Sequence, residues 1–255
     1  MPRVSPLSPL EAFLGARAVP GVEEVAGRYR RTARLPHGPA VIGLDGLVSG
    51  DPRDEATARA PAERLRGADP AEADAHLATD AYLGPLIGAR PGMRMPGTVD
   101  GGELAVRAVL GQQVSLAAAR SLGGRLVAAA GEPLEEPVGS LTHVWPVPEA
   151  IAEAAATLPM PRARQQTLAV LARALADGLR LQPGDDAREQ LLDLPGIGPW
   201  TAEYIAMRAL GARDAWLPTD AGVRNGLARI GARTEDAEAW RPHRSHAVRH
   251  LWAAL

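Results

Sequence analysis

The sequence predicts an α+β fold, mixed at its N-terminal end and helical beyond it, on three observations. Residues 29–35 and 40–44 read as two strands joined by Pro36-His37-Gly38-Pro39, the simplest form of an antiparallel hairpin. From Glu103 onward, apolar residues recur at helical spacing. Between the two parts, residues 88–97 are punctuated by Pro91, Gly92, Pro96 and Gly97, which break any continuing element and mark a domain boundary.

Composition bounds the chemistry. A chain of 255 residues with 46% hydrophobic and 23% charged side chains is long enough for two or three domains and is neither disordered, collagen-like nor a coiled-coil rod. It contains no cysteine, which removes disulfides, thiolate-bound zinc, iron–sulfur clusters and thiol nucleophiles. It also contains no lysine, so its 28 basic residues are all arginine and a lysine Schiff base is impossible. No stretch approaches the roughly 20 apolar residues of a membrane span, and the N-terminus lacks a signal-peptide pattern. These features predict a cytoplasmic protein without membrane association. A net charge of −2 argues against coating nucleic acid by bulk charge but leaves room for a local basic face. Residues 241–250 offer one, with Arg241, Arg244, Arg249, His243, His246 and His250 and no acid; a solvated helix face is the alternative.

The elements follow in order. A short apolar helix is expected around residues 11–17, before the hairpin. Residues 49–80, rich in Ala, Asp, Glu, Arg and Pro, suit short helices that add little core. Val106, Leu110 and Val114 mark a helix interrupted at Gly111, and Ser115 is placed to N-cap the next one at Leu116, leaving an exposed turn at Gly111-Gln112-Gln113-Val114. Leu168, Leu171 and Leu175 line a helix that Gly178 ends. Shorter helices fit residues 149–156, 186–193, 199–210, 221–229 and 243–254.

The most informative run is Leu192-Asp193-Leu194-Pro195-Gly196-Ile197-Gly198-Pro199-Trp200-Thr201-Ala202-Glu203-Tyr204. Pro-Gly stops one helix, two glycines make a tight hairpin, and Pro199 suits the first turn of the next helix. Without side chains at 196 and 198, main-chain N–H groups at a helix N-terminus can approach an anion, and a phosphodiester is the natural guest. An ordinary helix–helix turn would carry the same residues.

Together with Leu217-Pro218-Thr219-Asp220 ahead of Ala221-Gly222-Val223-Arg224, this run resembles the helix-hairpin-helix, Gly/Pro-rich loop and aspartate of the DNA glycosylase superfamily. Within it, the chain is similar to the AlkA-type 3-methyladenine DNA glycosylase II family. Residues 14–19, 90–97, 109–115 and 240–245, with Trp252, carry the likeness over nearly the whole chain.

The resemblance implies a small antiparallel sheet with helices in residues 1–88, a helical domain containing the helix-hairpin-helix in 89–212, and a C-terminal helical segment carrying the catalytic aspartate in 213–255. DNA would cross the cleft between the two helical lobes. Because residues 47–62 are shorter and more polar than the family's sheet-completing region, the sheet is expected to be abbreviated, and the last helix, near Leu255, to fray.

The implied activity is monofunctional hydrolysis of the N-glycosidic bond of alkylated bases in duplex DNA. Where lyase-type relatives place a lysine, this chain has Trp200. Asp220 is the implied catalytic carboxylate, stabilising an oxocarbenium-like sugar and orienting water; before a helix it can equally serve as an N-cap, and the two roles are compatible. Gln112 and Gln113 occupy the turn that fills the gap left by a flipped nucleotide, with Gln113 as the wedge; exposed polar turn residues are the plainer reading. Trp200, Tyr204 and Trp252 would stack on a cationic base, or simply pack the core. Gly196, Gly198, Thr201 and Arg244 are the remaining expected DNA contacts. The main-chain carbonyls of Leu192, Leu194 and Ile197 would hold a structural monovalent cation, and no other cofactor is required. A monomer acting on damaged duplex DNA in the nucleoid is expected. The alternatives are a glycosylase for deaminated or oxidised bases, a non-catalytic helix-hairpin-helix DNA-binding module, and a helical scaffold without a nucleic acid role.

Overall fold

Two strands become four at the N-terminal end. The computed structural model describes residues 7–255; residues 1–6, where the N-terminus lacks a signal-peptide pattern, lie outside them. Helix α1 (Pro9–Gly15) opens with Ser8, whose hydroxyl and backbone exchange hydrogen bonds with Glu11 in a capping box. Strands β1 (Glu23–Ala26), β2 (Arg28–Leu35), β3 (Gly38–Gly43) and β4 (Gly46–Ser49) then form one antiparallel sheet in chain order. Of residues 47–62, only Leu47, Val48 and Ser49 enter the sheet, in the fourth, edge strand, and the chain turns helical from Pro52. β1 escapes pattern reading because its glutamates are buried against arginines. Glu23 pairs in register with Arg31, and Glu24 with Arg30.

Helices α2 (Glu55–Arg66), α3 (Ala71–Leu77) and α4 (Gly84–Ala89) follow. Ala58 and Leu65 pack beneath the sheet, while Leu77, Leu83 and Ile87 join the C-terminal core of Val223, Leu227, Trp240 and Leu251. Within residues 49–80 the large buried apolar side chains are Leu65 and Leu77, in keeping with the small core contribution expected there. Beyond the Pro/Gly-rich stretch come α5 (Gly101–Leu110) and α6 (Leu116–Ala130), the latter capped by the Ser115 hydroxyl, which accepts from the Ala118 N–H. A small hairpin absent from the sequence reading, β5 (Glu132–Val138) and β6 (Leu141–Val144), lies against β2, where the Thr32 hydroxyl donates to the His143 carbonyl. Its prolines at 133 and 137 mask it as loop.

The rest is helical: α7 (Pro148–Ala154), α8 (Arg162–Ala176), α9 (Arg188–Leu192), α10 (Pro199–Arg208), α11 (Ala221–Ile230) and α12 (Arg244–Ala253). α8 ends before Gly178, and α12 runs to Ala253, with the Ala254 N–H bonded to the His250 and Leu251 carbonyls. Leu104, Leu126, Leu168, Leu171, Leu191 and Ile205 centre the core of the helical lobe. Among the described residues, no helix is long and apolar enough to cross a membrane.

Candidate active site

The hairpin between α9 and α10 is fixed from within. Ile197 is buried, and its N–H donates to the Leu194 carbonyl at 3.0 Å. Gly196 has φ +86°, and a Cβ there would lie 1.9 Å from the Thr167 hydroxyl, so backbone conformation and space both demand glycine. Gly198 precedes α10 and has no atom within 4 Å of where a Cβ would stand, leaving its amide face open to an incoming anion.

Asp220 serves as the N-cap of α11: its Oδ1 accepts the Val223 N–H at 2.9 Å. Two indoles also aim at the same carboxylate. Trp252 Nε1 donates to Oδ1 at 2.9 Å and Trp200 Nε1 to Oδ2 at 3.2 Å. Capping and catalytic placement therefore coexist, with three N–H donors fixing both oxygens while the carboxylate stays half-buried at the cleft wall.

The three aromatics come together. Trp200 and Tyr204 stack with centroids 5.4 Å apart and planes 12° from parallel, one turn apart on α10. Trp252 lies 6.3 Å from Tyr204, and on its other side stacks on Phe13 at 6.3 Å. A cleft of about 420 Å³ is lined by Asp220, Trp200, Tyr204 and Trp252, together with Gly111 and Val114 of the α5–α6 turn.

Three residues lay outside the sequence reading of the site, Arg17 and Arg208 in the cleft wall and Phe13 behind it. Phe13 is buried beneath Trp252 and carries the Arg17 guanidinium 3.6 Å above its ring. Burial pulls the Arg17 pKa down to about 10, which leaves it a cation at neutral pH. Arg208 donates to the Tyr204 hydroxyl at 3.1 Å and to the Pro96 and Gly97 carbonyls. Burial raises the Tyr204 phenol, but Arg208, Arg17 and Arg107 outweigh that and hold it below its usual value. The available signal was slight: Phe13 is the one phenylalanine in the chain, and Arg17 follows it by one helical turn.

At the rim, the two glutamines divide. Gln112 is engaged with the protein, its amide donating to the Gly196 carbonyl at 3.0 Å and the Thr201 hydroxyl at 3.1 Å. It ties the turn to the hairpin. Gln113 is exposed and, among the described residues, is the one non-glycine with positive φ, at +56°.

Two expected DNA contacts are corrected. Thr201 is buried, and its hydroxyl is taken by Gln112. Arg244 is spent internally, bonded to the Asp214 carboxylate at 2.8 and 2.9 Å and reaching Glu238 at 3.3 Å. Arg241 likewise pairs with Asp214 and Glu238, while Arg249 is turned inward over Phe13, so neither arginine stands free on the surface. Among the described residues, no N–H donor reaches the carbonyls of Leu192 or Ile197, and the Leu194 carbonyl accepts only the Ile197 N–H. This set of carbonyls has the free lone pairs that a monovalent cation requires.

Comparison with known proteins places this geometry. Residues 6–100 match the AlkA N-terminal domain family. A relative from Mycobacterium tuberculosis, "Probable bifunctional transcriptional activator/DNA repair enzyme AlkA", is 47% identical over 95% of this chain and 53% of its own length, so the chain spans about half of that protein. "DNA-3-methyladenine glycosylase 2" of Escherichia coli is 36% identical over 94% of this chain and 90% of its own. The solved 3-methyladenine DNA glycosylase of Archaeoglobus fulgidus superposes with a TM-score of 0.78 at 22% identity, covering 95% of this chain and 92% of that one, and so shares the fold. With its hairpin, aspartate and aromatic cleft in these positions, the chain belongs to the AlkA family of helix-hairpin-helix DNA-3-methyladenine glycosylases.

Proposed function

We propose that this chain is a monofunctional DNA glycosylase that releases alkylated bases such as 3-methyladenine and 7-methylguanine from duplex DNA, acting as a monomer on chromosomal DNA. The observation that carries the reading is the single cleft in which a triply held carboxylate faces three aromatic rings. A base alkylated at a ring nitrogen is a flat cation, and stacking on indole and phenol faces contributes roughly 0.5–2 kcal/mol. It leaves as a neutral molecule, taking the C1′–N bonding electrons, and the sugar becomes oxocarbenium-like. Asp220 stabilises that charge and orients the water that adds to C1′, whose proton passes to the carboxylate or to solvent. With no lysine to form a Schiff base, the abasic strand stays intact.

The open amides at Gly196 and Gly198 suit a DNA phosphate. The carbonyls of Leu192, Leu194 and Ile197 would hold a monovalent cation there, which supplies positive charge to the same phosphate. The test is release of free base from methylated duplex DNA: methylated purines in solution and uncut abasic strands are expected. DNA binding without release of any base would leave a binding module. Arg17 could donate to a carbonyl oxygen on a neutral purine, so release of deaminated purines alone would move the assignment to that lesion class.

Gln113 is the proposed wedge. Its φ of +56° is tolerated by glycine, so Gln113→Gly is expected to leave stability unchanged or slightly raised. It should slow base release from duplex DNA about tenfold while leaving single-stranded substrate unaffected, because only the duplex leaves a gap to fill. Equal losses on both substrates would remove the wedge role.

A further inference from the structure

On the far side of α12 from the cleft, three ligand atoms converge. His246 and His250, one turn apart, face each other with Nε2 atoms 3.3 Å apart. Asp74 of α3 brings its Oδ1 to 2.7 Å from His246 Nε2 and 3.8 Å from His250 Nε2. The carboxylate is held in that orientation, since its other oxygen accepts the Gly92 N–H at 2.7 Å. Both rings are buried, His250 completely. None of these side chains takes part in the glycosylase chemistry above.

Protons alone satisfy this trio poorly. If His246 Nε2 carries a proton it serves Asp74, and the His250 Nε2 lone pair can only share that same proton at a bent angle. If His250 Nε2 is protonated as well, two N–H groups oppose each other. The remaining His250 nitrogen, Nδ1, is buried without a partner, so no hydrogen bond fixes the tautomer of that ring. One cation at the centre would satisfy all three facing lone pairs together. Two imidazoles on a tetrahedral zinc, with Zn–N of about 2.0–2.1 Å, lie about 3.3–3.4 Å apart, and the two Asp74 distances bracket that value.

We propose that Asp74, His246 and His250 form a binding site for a borderline divalent cation, zinc by its ligand chemistry, which clamps α3 to α12. His246 also lines a surface cleft of about 430 Å³, which gives the ion a path and the fourth position a water. The clamp acts on the helix that carries Trp252, and hence on one of the donors to Asp220. The site stands on its own geometry and does not depend on which base is released.

The test uses the full chain without a histidine tag, freed of metal with chelator and desalted. Titration with cobalt(II) is expected to give visible d–d absorption that saturates at one ion per chain and is bleached by zinc, and zinc should raise the melting temperature in a concentration-dependent way. His250→Leu and Asp74→Asn should each weaken cobalt binding at least tenfold to a hundredfold. Asp74, with 16% of its side chain exposed, is less buried than His250, and asparagine keeps an oxygen for the Gly92 N–H, so its variant decides the matter if the buried substitution unfolds the chain. Absence of absorption and of a melting shift at about a millimolar metal would overturn the proposal. So would unchanged affinity in a folded variant, which would put the ion on the neighbouring Glu72, His76 and His243.

Discussion

Asp220→Asn is expected to lower the single-turnover rate of base release by about 10²–10³, or roughly 3–4 kcal/mol of transition-state stabilisation, while the chain stays folded and bound to DNA. Asparagine keeps an oxygen for the Val223 N–H and the Trp252 indole, and asparagine is as good an N-cap as aspartate, so α11 keeps its start. The lost charge is what the oxocarbenium-like sugar would have felt. The amide NH₂ must also face the Trp200 indole N–H, an opposition that costs about 1 kcal/mol and turns the ring slightly. Binding to undamaged duplex should hold or tighten, since one negative charge near the phosphates is gone. Rates from methylated duplex under single turnover, beside dissociation constants for the same DNA, separate the two effects. A rate within tenfold of the parent chain would mean that another group carries the chemistry.

Much of this site is legible in the sequence because glycine and proline leave local marks. The hairpin at 195–199 and the interruption at Gly111 are written in residues whose backbone preferences act over a few positions, and the N-caps Ser115 and Asp220 are similarly local. What stayed hidden depends on partners distant in the chain. Arg244 reads as a free cation until Asp214, 30 residues away, is folded against it. Phe13 and Arg17 come from the opposite end of the chain to back the wall that Trp252 completes. Thr201 looks exposed at a helix start, yet Gln112, 89 residues earlier, takes its hydroxyl inward. β1 shows the same limit in the fold: Glu23 and Glu24 are unusual strand residues until Arg31 and Arg30 stand opposite them.

That buried charge network gives the second large effect. Arg31 is 2% exposed and forks onto Glu103 at 2.5 and 3.0 Å, with Glu23 at 3.6 Å. Arg107 closes the square, 2.9 Å from each glutamate, and Tyr29 donates to Glu23 at 2.5 Å. The network joins the sheet to α5 at the floor of the cleft, where Arg107 also holds the Arg17 carbonyl at 2.7 Å. Arg31→Met leaves two carboxylates facing one arginine in a site closed to water, and should cost about 3–5 kcal/mol of stability. For a chain of this length that lowers the melting temperature by roughly 6–20 °C. The pH profile carries the sign. Burial raises Glu23, but Arg107 and Arg31 outweigh it and hold the carboxyl below its usual range. A carboxyl depressed in the folded state contributes stability above its unfolded pKa of about 4.3 and loses it as pH falls through the folded value. Removing Arg31 takes away one of the two arginines that offset burial, so the folded Glu23 value rises and ionisation of Glu23 contributes less stability than in the parent chain. Denaturant unfolding of both chains at pH values from about 3.5 to 7 should therefore show the gap widening toward neutrality and narrowing in acid. A gap that does not change with pH would mean that Arg31 contributes by packing alone, with its charge already balanced elsewhere in the network.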